Sequence, residues 1–413
     1  MKAIDAGLSR ADTPHDVLEE GLYTLAWISF FGGARAELRE PLERAISRLP
    51  GRVPESLSLL ISCFGDPVHT SLPALRRLDD AIGGLDAAHP IEVIRIGMAG
   101  KYVGRLKTCR PALERLLAEG REGEHVTLTI HAMNLLSRHC YESGEWDELA
   151  HLSEEGLRLS RRHGYRLLTQ TFLHRRALLA ATQGDTDRTE ELADEITRFA
   201  APRRIEFLLT LVAEIRARAA LGRGDYEAAF LHATSVSPAG VLPRFHAPAL
   251  WLIPDLVEAA VLSDRHAEAE AHVMALLRTQ VPLISSRLAL VTHGAAAMAA
   301  ADDRLTAQFD QALALPDADI WPFDLARIRL FYGERLRRAK ATQAAREQLT
   351  AALATFTRLG ATPWAERALS ELRASGLAAV QTGAAPDTRL SPQQYLARGT
   401  PRRPARYGES GTR

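Results

Sequence analysis

"ARAALGRGDYEAAFLHA", residues 217–233, reads as the close of one helix, a turn at Gly224-Asp225 and the opening of a second helix. Ala229 and Ala233 stand four apart, so they share a face of that second helix. The same frame fits "HCYESGEWDELAHLSEEG" (139–156), "LLAATQGDTDRTEELADEI" (178–196) and "EAAVLSDRHAEAEAHVMAL" (258–276). It also fits "MAAADDRLTAQFDQALAL" (298–315) and "YGERLRRAKATQAAREQLTAAL" (332–353). The equivalent packing positions are Cys109, Leu149, Thr189, Ala229, Ala269, Ala307 and Ala345, separated by 40, 40, 40, 40, 38 and 38 residues. One glycine turn between amphipathic helices is common; seven in near-constant register indicate an internal repeat.

The frame resembles the tetratricopeptide pattern, in which small residues let paired helices approach and a glycine turns the chain. An aromatic, here Tyr226, packs beneath the turn. The fold class expected is all-α, a tetratricopeptide-like helical-hairpin solenoid over residues 13–376. Each pair buries its apolar face only against its neighbours, and the first helix of each pair lines the inner surface. Two less regular pairs precede the array, in "EEGLYTLAWISFFGGARAELREPLERAISRL" and "SLPALRRLDDAIGGL". Thr13 or Asp16 is expected to cap the first helix, with Pro14 in its first turn. Residues 1–12 read as a flexible N-terminus and 377–413 as a disordered basic tail.

Composition narrows the function classes. The 413 residues carry 51 basic and 51 acidic side chains, so no net field draws the chain to nucleic acid or membrane. No run of eighteen apolar residues occurs and the N-terminus lacks a signal-peptide core, which places the protein in the cytoplasm without a membrane partner. Cys63, Cys109 and Cys140 are too widely spaced for a CxxC pair and read as buried, reduced thiols. "RIGMAGKYVG" (95–104) departs from a phosphate-binding loop, with Arg95 where the first glycine belongs and Tyr102 after Lys101. Helix packing through Gly97, Gly100 and Gly104 accounts for it better. His131, His139, Cys140 and His151 do not share a helix face and read as structural rather than as a metal site. No catalytic, cofactor-binding or metal-binding residues are assigned, no cofactor is expected, and the chain is read as not an enzyme.

The last helix pair carries a second likeness. "WPFDLARIRLFYGERLRRAKATQAAREQLTAALATFTRLGATPWAERALSELRASG", residues 321–376, resembles the closing segment of the sensor region in large bacterial transcriptional regulators of the LuxR type. These are signal-transduction ATPases that include the maltose-regulon activator. The likeness rests on Pro322, Phe323, Arg327, Tyr332, Gly333, Gly360, Pro363, Trp364 and Arg367, among others, and extends more loosely upstream. In that family a DNA-reading helix-turn-helix follows; here "LSPQQ" (390–394) stands at its start and only nineteen residues come after. A helix-turn-helix needs three packed helices, so the chain reads as the sensor region without the ATPase or the DNA reader.

The function expected is an effector-sensing or protein-interaction module of such a regulator. If the repeats follow tetratricopeptide geometry, the inner groove is lined by His131, Asn134, Arg138, Tyr141, His174, Glu214, Arg218, Trp251 and Glu258. That mixture suits a polar small molecule or a peptide. The expected partners are a small-molecule effector or a protein, with a second copy of the chain among the candidates; DNA would be reached only through the absent helix-turn-helix. Two alternatives remain, a regulator that binds DNA directly and an ATP-binding enzyme.

Overall fold

Directly after the last residue of three successive first helices, the backbone must reverse within a single step. Gly144, Gly184 and Gly224 do so with φ of 78°, 88° and 75°, the left-handed conformation that terminates an α-helix and suits glycine. The next position in the forty-residue series is Asp264, which adopts φ 59° with its side chain in solvent. Asp264→Gly is therefore expected to raise the free energy of unfolding by about 0.5–1 kcal/mol, read from thermal or urea unfolding.

The protein is described here by a computed structural model covering residues 14–32, 36–49, 52–121, 125–301 and 304–376. Thr13 and the segments 1–12 and 377–413 lie outside the described residues. Residues up to Ser375 belong to one compact unit, and of the second unit only Gly376 is described. Among the described residues there is no strand, and no helix is long and apolar enough to cross a membrane. The fold is all-α.

Helices α1 (His15–Phe31) and α2 (Ala36–Ser47) are followed by a short α3 (Glu55–Leu59), which runs directly into a π-helical turn at Leu60–Gly65. After α4 (Leu72–Gly83) the chain settles into pairs: α5 (Pro90–Gly100) with α6 (Leu106–Arg121), and α7 (Val126–Ser143) with α8 (Trp146–Arg162). Next come α9 (Arg166–Gln183) with α10 (Thr186–Ala200), and α11 (Glu206–Arg223) with α12 (Tyr226–Thr234). Helix α13 (Ile253–Leu262) pairs with α14 (His266–Leu277). A single turn, α15 (Val281–Ile284), leads to α16 (Ser286–Met298) with α17 (Leu305–Leu313). Helices α18 (Pro322–Arg338), α19 (Thr342–Leu359) and α20 (Thr362–Ala374) close the series.

Two expectations are corrected in detail. Helix α1 begins at His15, so Pro14 is its N-cap residue and Asp16 sits inside the first turn, beside the positive helix end. Cys109, Leu149, Thr189, Ala229, Ala269 and Ala345 are all fully buried, but Ala307 is exposed. Helix α17 begins only two residues before Ala307, against three in the other pairs, so the buried stripe falls on Phe309 and Ala312 instead. All three cysteines are buried and free.

The two helices of a pair bury themselves differently. In α19 the buried residues are Ala345, Leu349, Ala352, Phe356 and Leu359, a single stripe at spacings of four and three, as expected of a helix with one face in water. In α7 every residue from Ala132 to Glu142 is buried, so that helix has packing on all sides. Consecutive first helices pack on one another, α7 on α9, α9 on α11, α11 on α13, α13 on α16 and α16 on α18. The series then returns on itself: α18 packs against α7, and α20 against α9 and α11. The approach at this closure is tight, since a Cβ on Gly144 would lie 2.7 Å from Pro322 Cγ, and one on Gly184 2.8 Å from Pro363 Cγ.

Candidate functional site: a charged interior and an apolar cavity

The forty-residue register places equivalent residues on equivalent turns of successive first helices. Asn134, His174 and Glu214 form one row; Arg138, Arg218 and Glu258 form the row one helical turn further on. Because the inner helices return on themselves, these side chains meet one another rather than solvent. Arg138, His174, Glu214, Arg218, Trp251 and Glu258 are each no more than 2% exposed. Eight of the nine residues expected in the groove are buried, and His131 is half-buried.

The contacts form a connected network. Arg218 donates from Nε and Nη2 to the Asp255 carboxylate at 3.1 and 2.9 Å, and from Nη1 to Tyr141 Oη at 2.6 Å. Arg327 Nη1 lies 2.8 Å from the same Asp255, while its Nη2 donates to Glu258 at 2.7 Å. Arg367 of α20 donates to Glu258 at 2.8 Å and to Glu334 at 2.6 and 2.9 Å. Arg138 donates to Glu142 at 2.7 Å, lies 3.5 Å from Glu214, and stacks 3.7 Å above the Trp251 ring. Arg287 bridges Asp324, at 2.9 Å, and Glu142, at 3.5 Å. Several of these contacts join helices that are not neighbours in the series, such as α7 with α11 and α13 with α20.

His174 has a defined tautomer. Its Nδ1 accepts from Arg175 Nη1 at 2.7 Å, so the ring proton sits on Nε2, which donates to Glu214 at 2.9 Å. Burial and the adjacent Arg175 cation hold His174 down to about 4, although the Glu214 carboxylate opposes them. Burial resists ionisation of Glu214 as well, but the His174 hydrogen bond and the surrounding cations bring that carboxyl down to about 2.

Two buried cations stand apart. Arg175, 1% exposed, donates to His174 and leaves Nε without a partner among the described residues; burial and the nearby Arg138 bring it down to about 10. Lys101 is 4% exposed, and its side-chain amine has no hydrogen bond or ion pair among the described residues. Its amine lies 5.5 Å from the ring centroids of both Tyr102 and Trp251, a cation–π environment. Burial, with Arg175 and Arg138 adding to it, pushes that amine well below its ordinary value.

Lys101 lines a cavity of about 440 Å³ at the α1 end of the inner surface. Its walls are aromatic and aliphatic: Trp27 and Phe31 from α1, Phe64 from the π-helical turn, Met98 from α5, and Leu167, Leu168 and Phe207. His131, Asn134 and Thr171 are the polar groups that share it with the amine. Asn134 donates to Thr171 at 2.6 Å, but its Oδ1 is buried without a partner. Thr24 and Ile28 at the rim are exposed, so the cavity opens to solvent.

The sequence frame found the rows but missed the rest of the network: Lys101, Glu142, Arg175, Asp255, Arg287, Asp324, Arg327, Glu334 and Arg367. A usable signal existed for Glu142, Asp255, Asp324 and Arg327, since Arg138/Glu142, Asp255/Glu258 and Asp324/Arg327 are opposite or paired charges three or four apart on first helices. Lys101 carried no such signal. Its reading as helix packing was right for its neighbour, since a Cβ on Gly97 would meet Leu135 at 2.9 Å, and silent about the amine. Among the described residues no three His, Cys, Asp or Glu side chains converge as metal ligands. Comparison of the chain with models of protein families gives no match, and comparison with curated proteins finds no relative.

Proposed function

We propose that this chain is an effector-sensing module, a tetratricopeptide-like helical-hairpin array of the kind found in LuxR-type transcriptional regulators, and that it binds its effector rather than transforming it. The observation that carries the reading is the cavity of about 440 Å³ where aromatic walls meet a buried amine that has no partner among the described residues. That volume falls in the range of about 300–1,000 Å³ typical of small-molecule sites, and apolar walls with few polar groups are their usual lining. The cavity touches α1, α5, α7, α9 and α11, so filling it links the first helix to the inner helices of four pairs. The resemblance of residues 321–376 to a regulator's sensor region supports the same assignment.

The test is a thermal-shift screen of the purified protein against cavity-sized small molecules, charged and uncharged, with Leu168→Trp as a filled-cavity control. The reading expects compounds that raise the unfolding midpoint of the wild type and leave Leu168→Trp unmoved. A screen in which no compound distinguishes the two proteins contradicts it.

A further inference from the structure

Within that sensing reading, we infer that the ligand of the cavity is an apolar carboxylic acid, held with its carboxylate on Lys101 and its hydrocarbon body among Trp27, Phe31, Phe64 and Phe207. Three observations carry the assignment. First, the interior supplies a carboxylate to Arg138, Arg218, Arg287, Arg327 and Arg367, yet among the described residues none lies within ion-pair distance of Lys101. A buried ammonium without a counter-charge is costly, and an incoming anion removes that cost in a way a neutral ligand does not. Second, Arg175 and Arg138 lie behind Lys101, around the same Trp251 ring, and add to the positive field at the cavity floor. Third, the remaining walls are apolar and aromatic, which favours a hydrocarbon body over a sugar or a peptide backbone with many donors.

Size refines the class. At about 30 Å³ per non-hydrogen atom, the share of a water molecule in the liquid, the cavity accommodates roughly fifteen such atoms. The π-helical turn at Leu60–Gly65, which brings Phe64 to the wall, belongs to a class of helix distortion frequent at functional sites.

The experiment compares 4-phenylbutyrate with its uncharged isostere 4-phenylbutyramide by isothermal titration calorimetry on the wild type, Lys101→Met and Leu168→Trp. Lys101→Met keeps a chain of similar length while removing the charge, and its ligand-free unfolding midpoint is expected to lie above that of the wild type. The wild type is expected to bind the acid at least tenfold more tightly than the amide. In Lys101→Met acid binding falls to the amide's level while amide binding is unchanged, and Leu168→Trp loses both. Equal binding of acid and amide by the wild type, insensitive to Lys101→Met, overturns the carboxylate assignment while leaving the cavity as a sensing site. Acid binding that survives Leu168→Trp places the ligand elsewhere and also overturns it. Binding of neither compound overturns the assignment; the broader sensing reading then falls only if the thermal-shift screen is blank as well.

Discussion

Asp255→Ala is expected to lower the free energy of unfolding by about 3–5 kcal/mol, the cost of stranding a buried charge by removing its partner. Asp255 is fully buried and is approached by two guanidinium groups, Arg218 and Arg327, themselves no more than 2% exposed. Removing the carboxylate leaves Arg218 with Tyr141 and Arg327 with Glu258 and no compensating anion between them. Adding Arg218→Met to the alanine variant should recover part of the loss, because the stranded charge then goes too. Equilibrium urea unfolding of the three proteins measures both effects. A loss below about 1 kcal/mol would match an exposed ion pair and not this interior.

Mild acid is expected to have an effect of similar size. His174 and His272 are fully buried, and burial, the largest cause for each, holds both down to about 4. In the unfolded chain the same imidazoles protonate near 6.5. Between about pH 6.5 and 4 the unfolded state therefore binds protons that the native state refuses, and stability falls as the pH is lowered through that window. These two groups amount to roughly 4 kcal/mol lost between pH 7 and pH 5. Glu214, held at about 2 in the native state, adds a further loss in the same direction between its ordinary carboxylate range and pH 2. His272 has no hydrogen bond at Nδ1 among the described residues and acts by burial alone, so His272→Leu should remove its own share of the slope between pH 7 and 5, about 2 kcal/mol. A urea midpoint that is flat across this range would contradict both placements.

Fold class was legible because the sequence repeats the same turn. The glycines at 144, 184 and 224 and the packing residues from Cys109 to Ala269 hold one spacing, and that spacing sets both the helix ends and the buried face. The register failed at Ala307, where the second helix starts one residue later relative to the packing position, a shift that no turn residue announces. The inner surface was legible as a set of rows but not as an interior. Periodicity reports which residues share a face; it does not report how strongly successive pairs rotate, and that rotation decides whether the face is an open groove or a closed centre. The closure depends on contacts between residues about two hundred apart, such as Gly144 with Pro322 and Gly184 with Pro363. The conspicuous "TPWAER" stretch acquires a physical role there, since Trp364 is buried against Phe323 and Arg367 reaches Glu258 and Glu334. Lys101 was the hardest residue to find from the sequence, because its importance is the absence of a partner, and a missing contact leaves no pattern along a chain.

The central claim is that the first helices close upon a charged interior, leaving the Lys101 cavity as its accessible part. Glu258 of α13 and Arg367 of α20, 109 residues apart, meet at 2.8 Å only if that closure exists. The most direct test is a double-mutant cycle with Glu258→Gln and Arg367→Met, read by urea unfolding of the four proteins. Closure predicts a coupling free energy of about 2 kcal/mol or more between the two positions, as for a hydrogen-bonded, largely desolvated ion pair. A coupling within about 0.5 kcal/mol of zero would mean that the two helices do not meet, and that the inner surface is an open groove.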